Sequence, residues 1–416
     1  MDDNSPVRNR AFLAIWSADF FGQVGTQVTL LALPLLAAAR GATALQVSLL
    51  YTCEIVAIVA LSIPAGVWLD RHGKRGALVA ADVVRFVVLG SVVLAGVKGT
   101  VSLEHLYAAA VATGATSAIT DVGQQSWIPQ LVSDRALVRA NSLLEVTRGL
   151  AFVVGPAVGG LLIAVLSADL ALSASGVLAI LSAGALCSIP AALVRSAATS
   201  TKAESSEGGA GWRATWAAAT AGIALVWRST VIRALALSIA VANLFGSMVS
   251  STAVLFALRD LGLSSTQLGM AVGIGNIGGI LGGLLANRSA SKYGTGRVLT
   301  IAACGSAVSY LLLGLTPTAL ALIGLTVGVF LSAFTVTIVN VLNVTLRQRL
   351  TPNDLLARMT AAVRMVVWGT IPIGSVLGGT IATLAGFRPL LFVAAIGSLA
   401  GVIPLLVAGV NSLREV

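Results

Sequence analysis

Apolar stretches close to twenty residues or longer recur along the chain, separated by charges, Gly/Pro clusters and polar turns. A helix that crosses a bilayer needs about 20 mostly apolar residues. Six such stretches precede a polar break and six follow it. They cover approximately 11–39, 44–68, 76–97, 102–120, 140–166, 170–194, 231–257, 265–286, 297–315, 318–345, 357–384 and 388–410. The pattern predicts an all-α integral membrane protein with twelve transmembrane helices in two groups of six.

Composition supports this prediction. Of 416 residues, 57% are hydrophobic and 10% are charged, against about 45–50% and about 25% in soluble domains. A net charge of +10 would suggest nucleic acid binding in a soluble protein, but in a membrane protein it reports orientation. With the N-terminus inside, twenty of the 26 Lys and Arg lie on the cytoplasmic side and four outside. We therefore expect cytoplasmic termini and no nucleic acid partner.

Catalytic and metal chemistry is poorly represented. The three cysteines lie far apart and there are only two histidines, so neither a zinc site nor a disulfide framework is expected. No His/Cys/Asp constellation indicates an enzyme, and no GxxxxGK[ST] string indicates an ATP-driven pump. We expect no cofactor and no metal, and an ion gradient is the remaining energy source.

The polar break divides the chain into two similar parts. Residues 195–212 are rich in Ser, Ala, Gly and Glu, which predicts a flexible cytoplasmic linker between halves at 1–194 and 213–416. An interfacial amphipathic helix is expected over 212–228. A displacement of 219 residues aligns the two halves. It places Leu131, Leu137, Arg139, Gly159 and Gly160 on Leu350, Leu356, Arg358, Gly378 and Gly379.

A specific motif lies between the second and third helices. Its members are Gly66, Asp70, Arg71, Gly73, Lys74 and Arg75. It resembles the loop motif of the major facilitator superfamily. The resemblance implies two six-helix halves related by a pseudo-two-fold axis along the membrane normal, working by alternating access. Asn287 and Arg288 begin a degraded second copy, in which Asn287 replaces the aspartate.

The fifth helix contains Gly155, Pro156, Gly159 and Gly160, which resemble part of an antiporter motif of the superfamily. Helix packing around a proline kink is the alternative explanation, and both can hold. The stretches 121–132 and 350–358 are similar to the drug:proton antiporter branch that includes macrolide and enterobactin exporters. This resemblance covers essentially the whole chain.

Charged residues inside apolar helices are the candidates for proton coupling, because each costs about 2.5–3.5 kcal/mol at the bilayer centre. Glu54 lies ten residues into the second helix, near mid-membrane. Asp19 shares one face of the first helix with Trp16, Gln23 and Gln27. The alternative for Asp19 is a pairing with a neighbouring helix.

Other charges lie toward the predicted cytoplasmic helix ends. Asp121, Arg148 and Arg364, with Arg85 and Glu145, are interpreted as a mainly structural gate network near Asp70 and Asp82.

The resemblance also implies that helices one, four, seven and ten line a central cavity, and polar stripes fall on these four helices. The candidate substrate contacts are Trp16, Gln23, Gln27, Thr113, Ser117, Asn243, Ser247, Phe334, Thr337 and Asn340. Thr and Ser are also common packing residues in membranes.

These features predict a monomeric, proton-coupled transporter in a bacterial inner or plasma membrane. Its partners would be the lipid bilayer, protons and a small amphipathic substrate, neutral or cationic, that it exports. The alternatives are uptake by proton symport, lipid movement, and a membrane assembly or signalling protein that does not transport.

Overall fold

A computed structural model describes residues 9–132, 134–189, 226–351 and 353–412, and the regular structure in these ranges is helical. Twelve main helices carry the fold. They are α1 (Arg10–Ala39), α2 (Ala44–His72), α3 (Lys74–Val97), α4 (Leu103–Leu131), α5 (Asp134–Leu166), α6 (Ala168–Cys187), α7 (Thr230–Leu255), α8 (Ser265–Tyr293), α9 (Thr295–Leu315), α10 (Ala321–Leu350), α11 (Asn353–Ala385) and α12 (Phe387–Leu399). A short helix, α13 (Val402–Val407), continues α12. The predicted all-helical membrane fold is confirmed.

Eleven helical segments of the described chain are long and apolar enough to cross a membrane. The main helix that is missing from these eleven segments is α4. It has 29 residues but is more polar than the others, since Thr, Ser and Gln occupy its second half. At 1.5 Å per residue it is about 43 Å long, enough to span a bilayer. Two of these polar residues, Ser117 and Gln124, are buried in the protein.

Several helices run beyond the apolar stretches that predicted them. α4 continues to Leu131 rather than ending near residue 120, and α5 begins at Asp134 rather than near 140. Hydropathy marks the membrane boundary, whereas a helix continues until its backbone hydrogen bonding stops. Turn glycines provide two sharp stops. Gly73 (φ +81°) separates α2 from α3, and Gly294 (φ +91°) separates α8 from α9.

The chain forms two compact units. One comprises Met1–Gly41 and Cys53–Gly209, and the other comprises Ala42–Thr52 and Ala210–Val416. The predicted linker at 195–212 lies outside the described residues, as does all of the predicted interfacial helix except its last three positions. Below, the first half means α1–α6 and the second half means α7–α12.

The repeat is visible in helix bounds and in packing. α5 and α11 both have 33 residues, and their first residues are displaced by 353 − 134 = 219 positions. In the first half, Gly155 of α5 packs against Gln27 of α1. In the second half, Gly374 of α11 packs against Leu244 and Ser247 of α7. The repeat predicted from sequence is therefore a repeat of helix–helix contacts.

Each half has its own apolar core. In the first half Phe12 and Ile15 of α1 meet Trp127 of α4 and Leu144 of α5. The second half buries a larger cluster drawn from α7, α8, α9, α10 and α11. These cores hold the helices that carry the charged side chains described next.

Candidate functional site

Buried ionisable side chains are concentrated in the first half. Asp19, Glu54, Asp82 and Arg85 are each at most 6% exposed. Among the described residues of the second half, the buried polar side chains belong to Ser, Thr and Asn. Since buried charges are costly in a membrane, this difference between the described parts of the two halves needs an explanation.

Asp19 of α1 faces Arg148 of α5. The Arg148 Nε lies 3.9 Å from the Asp19 Oδ1, and the Arg148 Nη1 donates to the Glu145 Oε1 at 3.1 Å. Neither Asp19 oxygen completes a hydrogen bond with a described residue, although Gln23 lies beside the carboxylate. This arrangement supports the alternative in which Asp19 pairs with a neighbouring helix, but the pair is loose.

Trp16 lies three residues before Asp19 and is fixed to the same neighbouring helix. Its indole Nε1 donates to the Thr147 Oγ1 at 2.6 Å, and its ring stacks on Phe12 with centroids 6.4 Å apart. Gln27 is buried against Gly155. Within the predicted stripe, only Trp16 and Gln23 remain partly exposed.

Arg85 lies at the centre of a second charged cluster. Its Nη1 donates to the Thr26 Oγ1 at 3.1 Å and its Nη2 to the Ser117 Oγ at 2.5 Å. Its charge acts on Asp82, Glu54 and Asp121. Hydroxyl groups from α1 and α4 therefore orient a guanidinium between carboxyl groups on α2, α3 and α4.

The gate network of Arg85, Glu145 and Arg148 stays a prediction, but the structure places Arg85 farther from the end of α3 than expected. Arg85 lies twelve residues beyond Gly73, halfway along α3, and is buried with Thr26 and Ser117. Position along one helix gives the depth of a side chain only approximately and does not give the helix that it faces. Asp121 interacts with Asp19 as well as Arg85, so it lies near both charged groups.

The α4 candidates belong to the interior of the first half. Ser117 accepts from Arg85, and the Thr113 hydroxyl donates to the Ala110 carbonyl at 3.0 Å. Thr113 is 1% exposed. The neighbouring Gly114 has no Cβ because the Glu54 carbonyl oxygen occupies that space. These residues therefore hold the charged cluster together, and Thr113 is not open to a ligand in this structure.

The second-half candidates make neutral contacts. The Asn243 side chain donates to the Val367 carbonyl at 3.1 Å, and the Ser247 hydroxyl donates to the Leu244 carbonyl at 2.9 Å. Phe334 stacks on Phe330 with centroids 6.3 Å apart, and Asn340 is exposed.

Thr337 faces the glycine-rich side of α8. A Cβ built on Gly279 would lie 3.3 Å from the Thr337 Oγ1. The tightest approaches occur at Gly278 and Gly282, against the Phe330 and Phe334 carbonyls. This contact places Phe334 and Thr337, two of the three α10 candidates, in a helix–helix interface.

The loop motif is partly described. Gly73 supplies the positive φ that the turn requires, and Gly66 faces Val122. The Lys74 Nζ donates to the Ser126 carbonyl at 2.8 Å, and Arg75 donates to the Cys187 carbonyl at 2.6 Å. The Asp70 and Arg71 side chains lie outside the described part, so the role of this motif stays a prediction.

The residue equivalent to Asp70 in the second copy of the motif changes when positions are counted back from the turn glycine, Gly294. Asp70 precedes Gly73 by three residues, and Ser291 precedes Gly294 by three. Asn287 lies a further helical turn away, so Ser291 occupies the aspartate position. The second copy still lacks an acidic side chain there.

Arg364 belongs to a separate environment. It is exposed, and its guanidinium carbon lies 4.4 Å from the centroid of the Trp368 ring, one turn along α11. This is cation–π geometry. The fifth-helix motif has a clear packing role, because Gly155 and Gly159 face α1 while Pro156 and Gly160 are buried nearby.

Known proteins place this arrangement in a family. A model of the family described as transmembrane secretion effector matches residues 2–415. The chain belongs to this family. It is a multi-pass membrane transporter of the major facilitator superfamily, not an enzyme.

Curated relatives are multidrug efflux pumps named Tap. The pump of Mycolicibacterium fortuitum is 25% identical over 392 residues, which cover 90% of both chains. The pump of Mycobacterium tuberculosis is 28% identical over 162 residues, or 38% of each chain.

Solved structures share the fold. The nucleoside transporter NupG superimposes with a TM-score of 0.77 at 12% identity, covering 96% of this chain and 100% of NupG. A bacterial homologue of the iron transporter ferroportin gives 0.72 at 16% identity, covering 96% and 98%.

Proposed function

We propose that this protein exports small amphipathic compounds, neutral or cationic, from the cytoplasm in exchange for protons. One observation carries the proposal. Two buried carboxyl groups, Glu54 and Asp19, lie on transmembrane helices of the half that also holds Arg85. A carboxyl group that alternates between neutral and charged forms is the simplest way to link proton movement to a conformational change.

Glu54 is the proposed proton carrier. It lies ten residues into α2, about 15 Å from the start of that helix, so it is deep in the membrane. Its partner is the fixed positive charge of Arg85, which hydroxyl groups hold in place. In its ionised form Glu54 is attracted to Arg85, and in its protonated form this attraction is lost.

Asp19 is the proposed substrate anchor. Its carboxylate is only loosely paired with Arg148, and the partly exposed Trp16 and Gln23 lie on the same helix face. Phe20 adds aromatic surface and is 38% exposed. A negative charge beside aromatic rings suits a lipophilic cation. The efflux role of the Mycolicibacterium fortuitum relative supports export as the direction.

Inverted membrane vesicles test this proposal. With a pH gradient that is acid inside, vesicles containing the wild type should accumulate tetraphenylphosphonium, and a protonophore should abolish the accumulation. Glu54→Gln should lose uphill accumulation but retain downhill exchange, whereas Asp19→Asn should mainly weaken binding. Empty vesicles give the background.

Two results would contradict the proposal. Tetraphenylphosphonium or neutral amphiphiles driven out of the vesicles with the proton gradient would indicate symport. No substrate movement by well-inserted protein, across a panel of cationic, neutral and lipid probes, would indicate a protein that does not transport.

A further inference from the structure

Arg148 makes contact with two carboxylates that differ sharply in exposure. The Asp19 side chain is 1% exposed and the Glu145 side chain is 72% exposed, while the Arg148 side chain between them is 23% exposed. One arginine therefore connects a buried anion to an exposed one.

The hydrogen bonding of Arg148 favours the exposed partner. Its Nη1 donates to the Glu145 Oε1 at 3.1 Å. On the buried side, the Nε stands 3.9 Å from the Asp19 Oδ1 and has no hydrogen-bond partner among the described residues, and the neutral Gln23 is the side chain beside the carboxylate. A structural Arg–carboxylate pair is usually bidentate, at about 2.7–2.9 Å. The contact with Asp19 is Coulombic only.

The second half shows that the fold does not require this ion pair. Counted from the starts of α1 and α7, Asp19 corresponds to Ile239 (239 − 230 = 19 − 10). Counted from the starts of α5 and α11, Arg148 corresponds to Val367 (367 − 353 = 148 − 134). Ile239 and Val367 are both buried in the apolar cluster of the second half. The charges of the first half therefore need an explanation other than packing.

The surroundings of Asp19 suit an organic cation. Trp16 lies about one turn away on the same face, and its ring is fixed because its indole nitrogen donates to Thr147, the neighbour of Arg148. The charged groups that act on Asp19 are Arg148, Asp121 and Glu145. Arg148 is the only cation of these three.

We propose that Arg148 is an internal occupant of a cation site at Asp19. Its guanidinium, already hydrogen-bonded to Glu145, also takes the place of a cationic substrate beside Asp19, and it withdraws to Glu145 alone when the substrate arrives. The inference rests on the proposed function and names the substrate class of the site: lipophilic monovalent cations. An internal occupant that is present nine-tenths of the time lowers the apparent affinity about tenfold.

Binding of tetraphenylphosphonium to purified protein tests the inference, with neutral triphenylphosphine oxide as the matched probe. Arg148→Gln removes the occupant, so tetraphenylphosphonium should bind about tenfold tighter. Glu145→Gln removes the place to which Arg148 moves, so the same ligand should bind more weakly. Arg148→Lys keeps the charge and should stay near the wild type. Triphenylphosphine oxide should bind equally to all four proteins.

The opposite signs at Arg148 and Glu145 separate competition from a purely structural role. Glu145 is exposed, so its variant keeps the test decisive even where Arg148→Gln is poorly folded. Equal or weaker tetraphenylphosphonium binding by well-folded Arg148→Gln, or unchanged binding by Glu145→Gln, would overturn the inference. So would an absence of binding to all of these proteins. Proton-driven transport of tetraphenylphosphonium would still stand after either of the first two results. After an absence of binding, proton-driven accumulation of a neutral amphiphile in the vesicle assay would leave the proposed export standing without this cation site.

Discussion

The two halves share their helix lengths and close contacts but differ in buried charge. α5 and α11 have equal length and both pack glycines against the first helix of their half. Where the first half buries Arg85 against Ser117, the second half pairs Ser306 with Thr335 at 3.2 Å. Ser306 lies twelve residues beyond Gly294, as Arg85 lies twelve beyond Gly73.

The position of Glu54 gives the same contrast. Glu54 precedes Gly73 by 19 residues, and Gly275 precedes Gly294 by 19. Because Gly275 has no side chain, α8 packs closely against Val329 and Phe330 of α10 at this position. One helix framework therefore accommodates either charge or tight apolar packing at equivalent positions. This difference supports the proposal that the first half binds and releases protons. The second half would then contribute mainly close helix packing.

The largest effect on stability is expected from Arg85→Ser, which gives the first half the residue found at the equivalent position of the second half, Ser306. Arg85→Ser leaves Glu54 and Asp82 buried without their cation. Loss of one partner from a buried charged group typically costs about 3–5 kcal/mol of the free energy of unfolding. Thermal unfolding in detergent measures the loss.

Two variants serve as controls for Arg85→Ser. Adding Asp82→Asn removes one uncompensated carboxylate and should recover part of the stability. Ser306→Ala, at the equivalent position, should cost only about 1 kcal/mol. Equal destabilisation by Arg85→Ser and Ser306→Ala would show that the buried charge is not what distinguishes the halves.

A smaller effect is expected at two equivalent glycines. A Cβ on Gly378 would lie 2.6 Å from the Met248 Cα, whereas a Cβ on Gly159 would lie 3.4 Å from the Val28 Cα. Gly378→Ala should therefore cost about 1–3 kcal/mol, and Gly159→Ala less than about 1 kcal/mol. The same unfolding assay compares the two variants, and the reverse order would mean that the first half is the more tightly packed one.

The smallest effect on stability is expected when Asp19 and Arg148 are replaced by the apolar residues at the equivalent positions of the second half, Ile239 and Val367. Replacement of a buried ion pair by apolar residues is often neutral or stabilising, by about 1–4 kcal/mol. Asp19→Ile combined with Arg148→Val should therefore unfold at or above the wild-type temperature while losing tetraphenylphosphonium binding. A marked loss of stability would mean that the ion pair is structural after all.

The fold could be predicted reliably from sequence because the signals that specify it are local along the chain. Apolar length set the helix count, and the 219-residue displacement set the repeat of α5 and α11. The candidate site could be predicted less completely. Asp19 and Glu54 were identifiable as charges in apolar helices, and Asp82 as a neighbour of Arg85, but the hydroxyl partners of Arg85 were not. Thr26 and Ser117 lie on two other helices, and no pattern along a single helix states which faces meet.

Second-half candidates show the same limit in another form. Thr337 was assigned to the cavity from its stripe on α10, yet its hydroxyl faces Gly279 of α8, 3.3 Å from the place that a Cβ there would take. Small polar residues both line cavities and pack helices. Sequence alone does not separate these roles, and contact with glycine does.

Proton release on substrate binding is the most direct test of the claim that the first half couples protons to transport. Substrate and proton linked through Glu54 must each lower the affinity of the other. Tetraphenylphosphonium added to purified, weakly buffered wild type at a pH where Glu54 is partly protonated should release protons. Glu54→Gln should bind the ligand and release almost none. Undiminished release from Glu54→Gln would contradict the account.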